Sequence, residues 1–300
     1  MVQLRSVANP PPSALEAAAS PRATTPGSPG TAPGVESRSA LHLVARGRSG
    51  ALERRRSVLG LESVLGQDDR VRILDTELPP WRMICALEMR GPSGASAIGT
   101  GWLVGPRTIL TAGHCVHSGR FYGGWAREIT ASPGRNGASL PYGTITSTRF
   151  ASLDVWVERE DPDFDIGCIH LDEPIGERLG WFALGALPPS DLEGYLVNVS
   201  GYPADRGAGA EQYHHRNRIL RASERRLFYD VDTYGGQSGA PVWIHESAAA
   251  PPLVVGIHAY GASGTPPVFN IEANSAPRMI PEVLDRISAW VREDGGWPAT

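Results

Sequence analysis

Three short segments carry side chains that could act together in acyl transfer. Thr111-Ala112-Gly113-His114-Cys115 sets an imidazole just after the largely apolar run Arg107-Thr108-Ile109-Leu110. Asp165-Ile166-Gly167-Cys168-Ile169-His170-Leu171 opens an apolar run with an acid, which is costly to bury unless something pairs with it. Gly235-Gly236-Gln237-Ser238-Gly239-Ala240-Pro241-Val242 sets a serine among glycines, which allow a tight turn whose consecutive N–H groups point at one spot. Each segment alone is ordinary: a lone histidine is more often structural, and a glycine-rich serine turn is more often a loop. Together they provide a nucleophile, Ser238, and a base, His114. They also provide an acid, Asp165, to fix the tautomer of the base and stabilise its positive charge. The N–H groups of Gly236 and Ser238 would hold the developing oxyanion. Asp161 and Asp163 compete for the acid role. Asp165 is preferred because it directly precedes the apolar strand, with Asp163 in reserve.

The elements around these segments read as short strands. Apolar runs punctuated by Gly, Pro, Asn and Asp predict strands at 71–75, 81–88, 97–104, 107–112, 143–148, 153–158 and 165–171. A second group falls at 194–200, 217–222, 226–231, 240–245, 252–258 and 267–271. Two groups of about six suggest an all-β chain of two packed antiparallel barrels, over about 70–180 and 181–275. Ile280, Val283, Leu284, Ile287 and Val291 fall at helical spacing with Pro281 near the first turn, predicting a docked helix at about 278–292. Residues 1–40 contain seven Pro and few aliphatics, and 41–62 are basic, so 1–62 is expected to be a disordered propeptide-like or linker segment. The catalytic domain would then span 63–300. Near the junction the hexad Ser57-Val58-Leu59-Gly60-Leu61-Glu62 is nearly repeated as Ser63-Val64-Leu65-Gly66-Gln67-Asp68.

Composition narrows the partners. All 28 basic residues are Arg, and 1–62 carries a net +4, which leaves −8 for the rest of a chain at −4. An acidic catalytic unit argues against nucleic acid. No apolar run is long enough to span a membrane, and no secretory h-region stands near the N-terminus. Cys85, Cys115 and Cys168 cannot all pair with one another. His114 with His117, or the adjacent His214 and His215, could begin a zinc site, but no third ligand is evident. His170 and His245 read as strand residues. No cofactor or metal is implied, and the partners expected are protein or peptide substrates of a monomer.

The residues also carry a family likeness. The order His, Asp, Ser is that of chymotrypsin. The chain resembles the bacterial glutamyl endopeptidases of the chymotrypsin superfamily over roughly residues 63–293. The likeness rests on Ser63-Val64-Leu65-Gly66 with Asp68-Asp69-Arg70, Gly101-Trp102-Leu103-Val104-Gly105-Pro106, and Thr111 through Cys115. It continues through Ser132-Pro133-Gly134-Arg135-Asn136-Gly137, Pro141-Tyr142-Gly143, Ser200-Gly201-Tyr202-Pro203 and Asp232 through Gly239. The resemblance implies two six-stranded barrels and cleavage after Glu or Asp. It implies a specificity pocket holding His258 and Thr233, with the backbone of Ala259, Tyr260 and Gly261 receiving the extended substrate. It also implies a zymogen cut between Glu62 and Ser63, and an extracellular enzyme, although the missing h-region and odd cysteine count leave a cytoplasmic one open. Relatives with a Cys after the catalytic His pair it with a Cys two residues before Gly101; here that position is Gly99, so free buried thiols are expected. A same-fold protease of other specificity, or an inactive protease-like binding module, is the alternative.

Overall fold

The computed structural model describes residues 4–11, 63–245, 250–262 and 269–297. Two curled sheets, antiparallel apart from one short parallel pairing, make up most of it. The first runs, in spatial order, Ser6–Ala8, Phe150–Leu153, Gly167–His170, Thr108–Thr111, Ser96–Leu103, Ile84–Arg90, Glu128–Pro133 and Ile145–Ser147. The second runs Ala183–Leu184, Leu253–Ile257, Pro241–Ile244, Leu196–Gly201, Tyr213–Ala222, Arg226–Tyr229 and Asn274–Pro277, with Val71–Arg72 added beside Tyr213–Ala222. Each sheet therefore holds more than the six strands expected, because short strands are added at its margins. Val71–Arg72 precedes the first barrel in sequence but belongs to the second.

Burial explains the pattern. Gly167–His170 and Thr108–Thr111 are buried at every position, as strands covered on both faces must be. The second barrel closes on its own apolar cluster, which includes Val197, Val199, Val242, Val255, Leu227 and Ile219. The helix Pro281–Glu293 buries Val283, Ile287, Trp290 and Val291 and packs back onto the core of the first barrel. Pro281 sits in its first turn, where no intrahelical donor is lost.

Four sequence expectations need correction. Residues 153–158 are not a strand: Phe150–Leu153 is, and Asp154–Arg159 is helical. There the Asp154 carboxylate accepts the Val155 N–H at 2.9 Å and the turn sinks Trp156 into the interior, which the alternating Val155-Trp156-Val157 pattern conceals. The last strand is Asn274–Pro277 rather than 267–271. Residues 267 and 268 lie outside the described set; beyond them Phe269 packs edge-on against Phe228 and Asn270 adopts φ +47°, which breaks an extended chain. Glu128–Pro133 is a strand missed from sequence, since only Ile129 and Ala131 alternate and Pro133 argues against it. Finally, disorder over 1–62 fails at residues 4–11, which contain the strand Ser6–Ala8, while 12–62 fall outside the described residues.

Candidate active site

Strand pairing brings Asp165 and His114 together. Gly167 lies opposite Thr111, so Asp165 at the head of one strand meets the turn Ala112–Gly113 at the end of the other. Asp165 is fully buried; its Oδ1 accepts the His114 backbone N–H at 2.8 Å and its Oδ2 lies 2.6 Å from His114 Nδ1. Gly113 is required there, because a Cβ would stand 2.7 Å from the Trp156 ring. Burial is the largest single influence on the His114 pKa and lowers it, but the charge and hydrogen bond of Asp165, together with the neighbouring Cys115, outweigh it and hold the imidazole well above its usual value. Asp161 and Asp163 do other work: Asp161 caps the turn by accepting the Asp163 N–H, and Asp163 lies 4.0 Å from Arg226.

Asp165 has a third donor that sequence reasoning did not find. The Tyr260 hydroxyl bonds Oδ2 at 2.6 Å, and the Arg226 guanidinium lies 5.0 Å from the Tyr260 ring centroid. The Tyr260 N–H and C=O both pair with Ser275. Its backbone is thus not open to a substrate, and the expectation for Tyr260 is corrected from strand partner to support of the acid. The Ala259 N–H also donates to the Ser275 carbonyl, at 3.2 Å, so at that position only the carbonyl is left to face outward, with Gly261 next along the strand.

Ser238 comes from the second barrel, and its turn is tied to the first. Its carbonyl accepts the Thr100 N–H at 2.8 Å, and the Thr100 hydroxyl donates to the Gly236 carbonyl at 2.9 Å. Gly236 and Gly239 have φ of +101° and +89°. A Cβ at Gly236 would lie 2.6 Å from the Tyr202 carbonyl oxygen, and one at Gly239 would lie 2.2 Å from that of Thr100. Both glycines are therefore demanded by conformation and by space.

Beside this turn lies a buried polar group. His258 is wholly buried, with Nδ1 2.6 Å from the Tyr229 hydroxyl. Burial, reinforced by the nearby His114, pushes its pKa down to about 3, so the ring is neutral near pH 7. Thr233 is also wholly buried, and its hydroxyl has no hydrogen-bond partner among the described residues. Ser63 docks against this group: its carbonyl accepts the Thr233 N–H and an Asn274 amide N–H, and its own N–H donates to Asn274 Oδ1 at 3.1 Å. Glu62 lies outside the described residues.

The remaining candidates do not converge on the site. His117 stacks edge-on with Trp125, and His214 bonds Asn198. Asp69, His215 and Asp232 come close enough to suggest a metal group. The Asp232 oxygens accept the N–H groups of Leu65 and Asp69, however, and His215 Nδ1 accepts the Asp232 N–H. That cluster is a clamp on the segment leading away from Ser63. Cys85, Cys115 and Cys168 are free and buried.

With this fold and site in view, the chain belongs to the trypsin-like peptidase family and is a serine endopeptidase: the family model for the trypsin-like peptidase domain matches residues 99–256. Among curated proteins it is 38% identical over 235 residues to the glutamyl endopeptidase of Bacillus licheniformis, covering 77% of this chain and 69% of that one. It is 36% identical over 243 residues to a Bacillus subtilis protein named as an extracellular metalloprotease, covering 81% and 74%. Among solved structures, a Glu endopeptidase in complex with MPD aligns with TM-score 0.65 at 25% identity, over 76% of this chain and 98% of that chain.

Proposed function

We propose that this endopeptidase cleaves peptide bonds after Glu, or after Asp, through an acyl-enzyme on Ser238. In this reading His114 takes the serine proton and later returns it to the leaving amine, while Asp165 holds the ring and stabilises the imidazolium. The 2.6 Å contact between His114 Nδ1 and Asp165 supports these roles, since it leaves Nε2 as the working nitrogen. The N–H groups of Gly236 and Ser238 would receive the oxyanion, and the Ala259 carbonyl and the Gly261 backbone would pair with the extended substrate.

The observation that carries the Glu preference is the neutral, buried His258 with Tyr229 on its Nδ1. A tyrosine proton given to Nδ1 leaves the imidazole proton on Nε2, where it can bond a substrate carboxylate. The Thr233 hydroxyl supplies a second donor. Relatives named as glutamyl endopeptidases support the same preference. One relative's name favours an extracellular setting for the enzyme. Among the described residues no helix is long and apolar enough to cross a membrane.

Cleavage between Glu62 and Ser63 would turn the Ser63 amide into an ammonium group beside Thr233 and Asn274. Ser63 already sits there in the uncut chain, so the change on maturation is one of charge more than of folding. Matched peptides with Glu, Asp, Gln, Leu or Arg before the scissile bond test the preference. Glu should lead Leu by a factor of about 100 or more, since a site built to bond a polar group rejects analogues lacking it. Equal rates for Glu and Leu would refute it.

A further inference from the structure

The segment 4–11 is built into the first barrel. Ser6, Val7 and Ala8 pair with Leu153, Ser152 and Ala151. The ladder continues at both ends. Asp154 N–H donates to the Arg5 carbonyl at 3.0 Å and Arg5 N–H to the Asp154 carboxylate at 3.2 Å. Asn9 bonds Phe150 through both its backbone and side chain, and its amide donates to the Thr148 carbonyl at 2.7 Å. Side chains add to the ladder: Leu4 is 4% exposed in the main core cluster. From the C-terminal helix, Arg286 donates to the Leu4 carbonyl and Trp290 Nε1 to the Ser6 hydroxyl at 2.7 Å.

We infer that residues 4–11 form a permanent strand of the enzyme, held without a covalent link once the chain is cut ahead of Ser63, so that the mature protein has two chains. This rests on the maturation reading only for where the natural cut falls. The residues on either side of the cut are anchored separately: 4–11 on the first barrel, and Ser63 on the second through Asn274 and Thr233. A cut between them removes the tether and none of these contacts. The occupant of this sheet edge is thus the chain's own segment, bound by strand addition with Leu4 as its apolar anchor.

The strand also lies behind the acid and base. Its partner Phe150–Leu153 pairs with Gly167–His170, the strand that follows Asp165. The Ser152 hydroxyl bonds the Ile166 carbonyl at 2.8 Å. Asp154, which Arg5 engages, opens the helix that carries Trp156 beneath Gly113. Loss of the strand would therefore loosen the wall that positions Asp165 against His114.

The test uses the full chain carrying Ser238→Ala, to prevent self-digestion, with a recognition sequence for an unrelated site-specific protease inserted between residues 30 and 31. The cut is thus made whether or not Glu62 is a natural site. After cutting, the fragment bearing residues 4–11 should co-elute with the 31–300 fragment in size exclusion at micromolar concentration and appear as one complex in native mass spectrometry. Leu4→Asp should abolish co-elution. The midpoint of thermal unfolding of the Leu4→Asp cut protein should fall by about 5 °C or more. A synthetic peptide of residues 2–11 added to it should restore the midpoint. A fragment that separates freely, or a Leu4→Asp fragment that stays equally bound, would overturn the inference. Failure of natural cutting at Glu62 would instead refute the maturation reading alone.

Discussion

Tyr229→Phe isolates the tautomer on which the Glu preference depends. The change keeps the ring and removes only the hydroxyl 2.6 Å from His258 Nδ1. Burial holds His258 down at about 3, so the imidazole stays neutral at pH 7 in the variant. Without the tyrosine proton the ring is free to carry its own hydrogen on Nδ1, and Nε2 then presents a lone pair to the substrate. A carboxylate meeting that lone pair loses a hydrogen bond to a charged group, worth about 1.5–3 kcal/mol. The expected loss in kcat/KM for a Glu substrate is therefore about 10- to 150-fold. A Gln substrate should lose less, because its amide can donate to the exposed Nε2. The assay is steady-state cleavage of two peptides that differ only in Glu or Gln before the scissile bond. Equal losses for the two peptides, or a Glu rate within twofold of wild type, would refute the reasoning.

Other outcomes follow from the same geometry. Gly99→Cys places a Cβ 3.1 Å from Cys115 Sγ, so under oxidising conditions it should form a disulfide. That bond should stabilise the protein by about 3 kcal/mol, read as a raised thermal midpoint that reductant reverses. Gly239→Ala drives a Cβ to 2.2 Å from the Thr100 carbonyl oxygen at φ +89°, and should abolish activity or folding, checked by circular dichroism beside the peptide assay. The histidines set a stability slope with pH. An unfolded chain protonates His258 below about 6.5, whereas the folded protein resists until about 3. Stability should therefore fall as pH drops from 6.5, by about 2 kcal/mol at pH 5 from His258 alone, and a Ser238→Ala protein with equal unfolding midpoints at pH 7 and pH 5 would contradict it. The rate of the active enzyme should decline on acidification through a base pKa above 6.5, because Asp165 raises that of His114 and only the neutral ring accepts the serine proton.

The spacing of residues in sequence foretold the pairing of His114 with Asp165 because local signals encode it: an acid at the head of an apolar strand and a histidine just past another. The turn around Ser238 was legible for a similar reason, since glycines at 236 and 239 announce positive φ before any fold is known. The supports of the site were not legible. Tyr260, Tyr229 and Thr100 act through contacts across sheets or between barrels, and a tyrosine or threonine in a strand carries no mark of its distant partner. The strand Ser6–Ala8 was hidden because its apolar content is too small to suggest burial. What fixes it is an edge supplied by Phe150–Leu153 and donors from a helix at the other end of the chain. Helix Asp154–Arg159 was misread as strand because Val155-Trp156-Val157 satisfies a β pattern until Asp154 turns the chain.

The central claim is tested most directly by Ser238→Ala in single-turnover and steady-state assays on a Glu peptide, with the fold checked by its unfolding transition. Removing the attacking oxygen should cost on the order of 10⁶-fold in kcat and leave the fold intact, with only the residual rate that the oxyanion donors and binding supply. A folded Ser238→Ala protein that keeps a tenth of the wild-type rate would contradict the account.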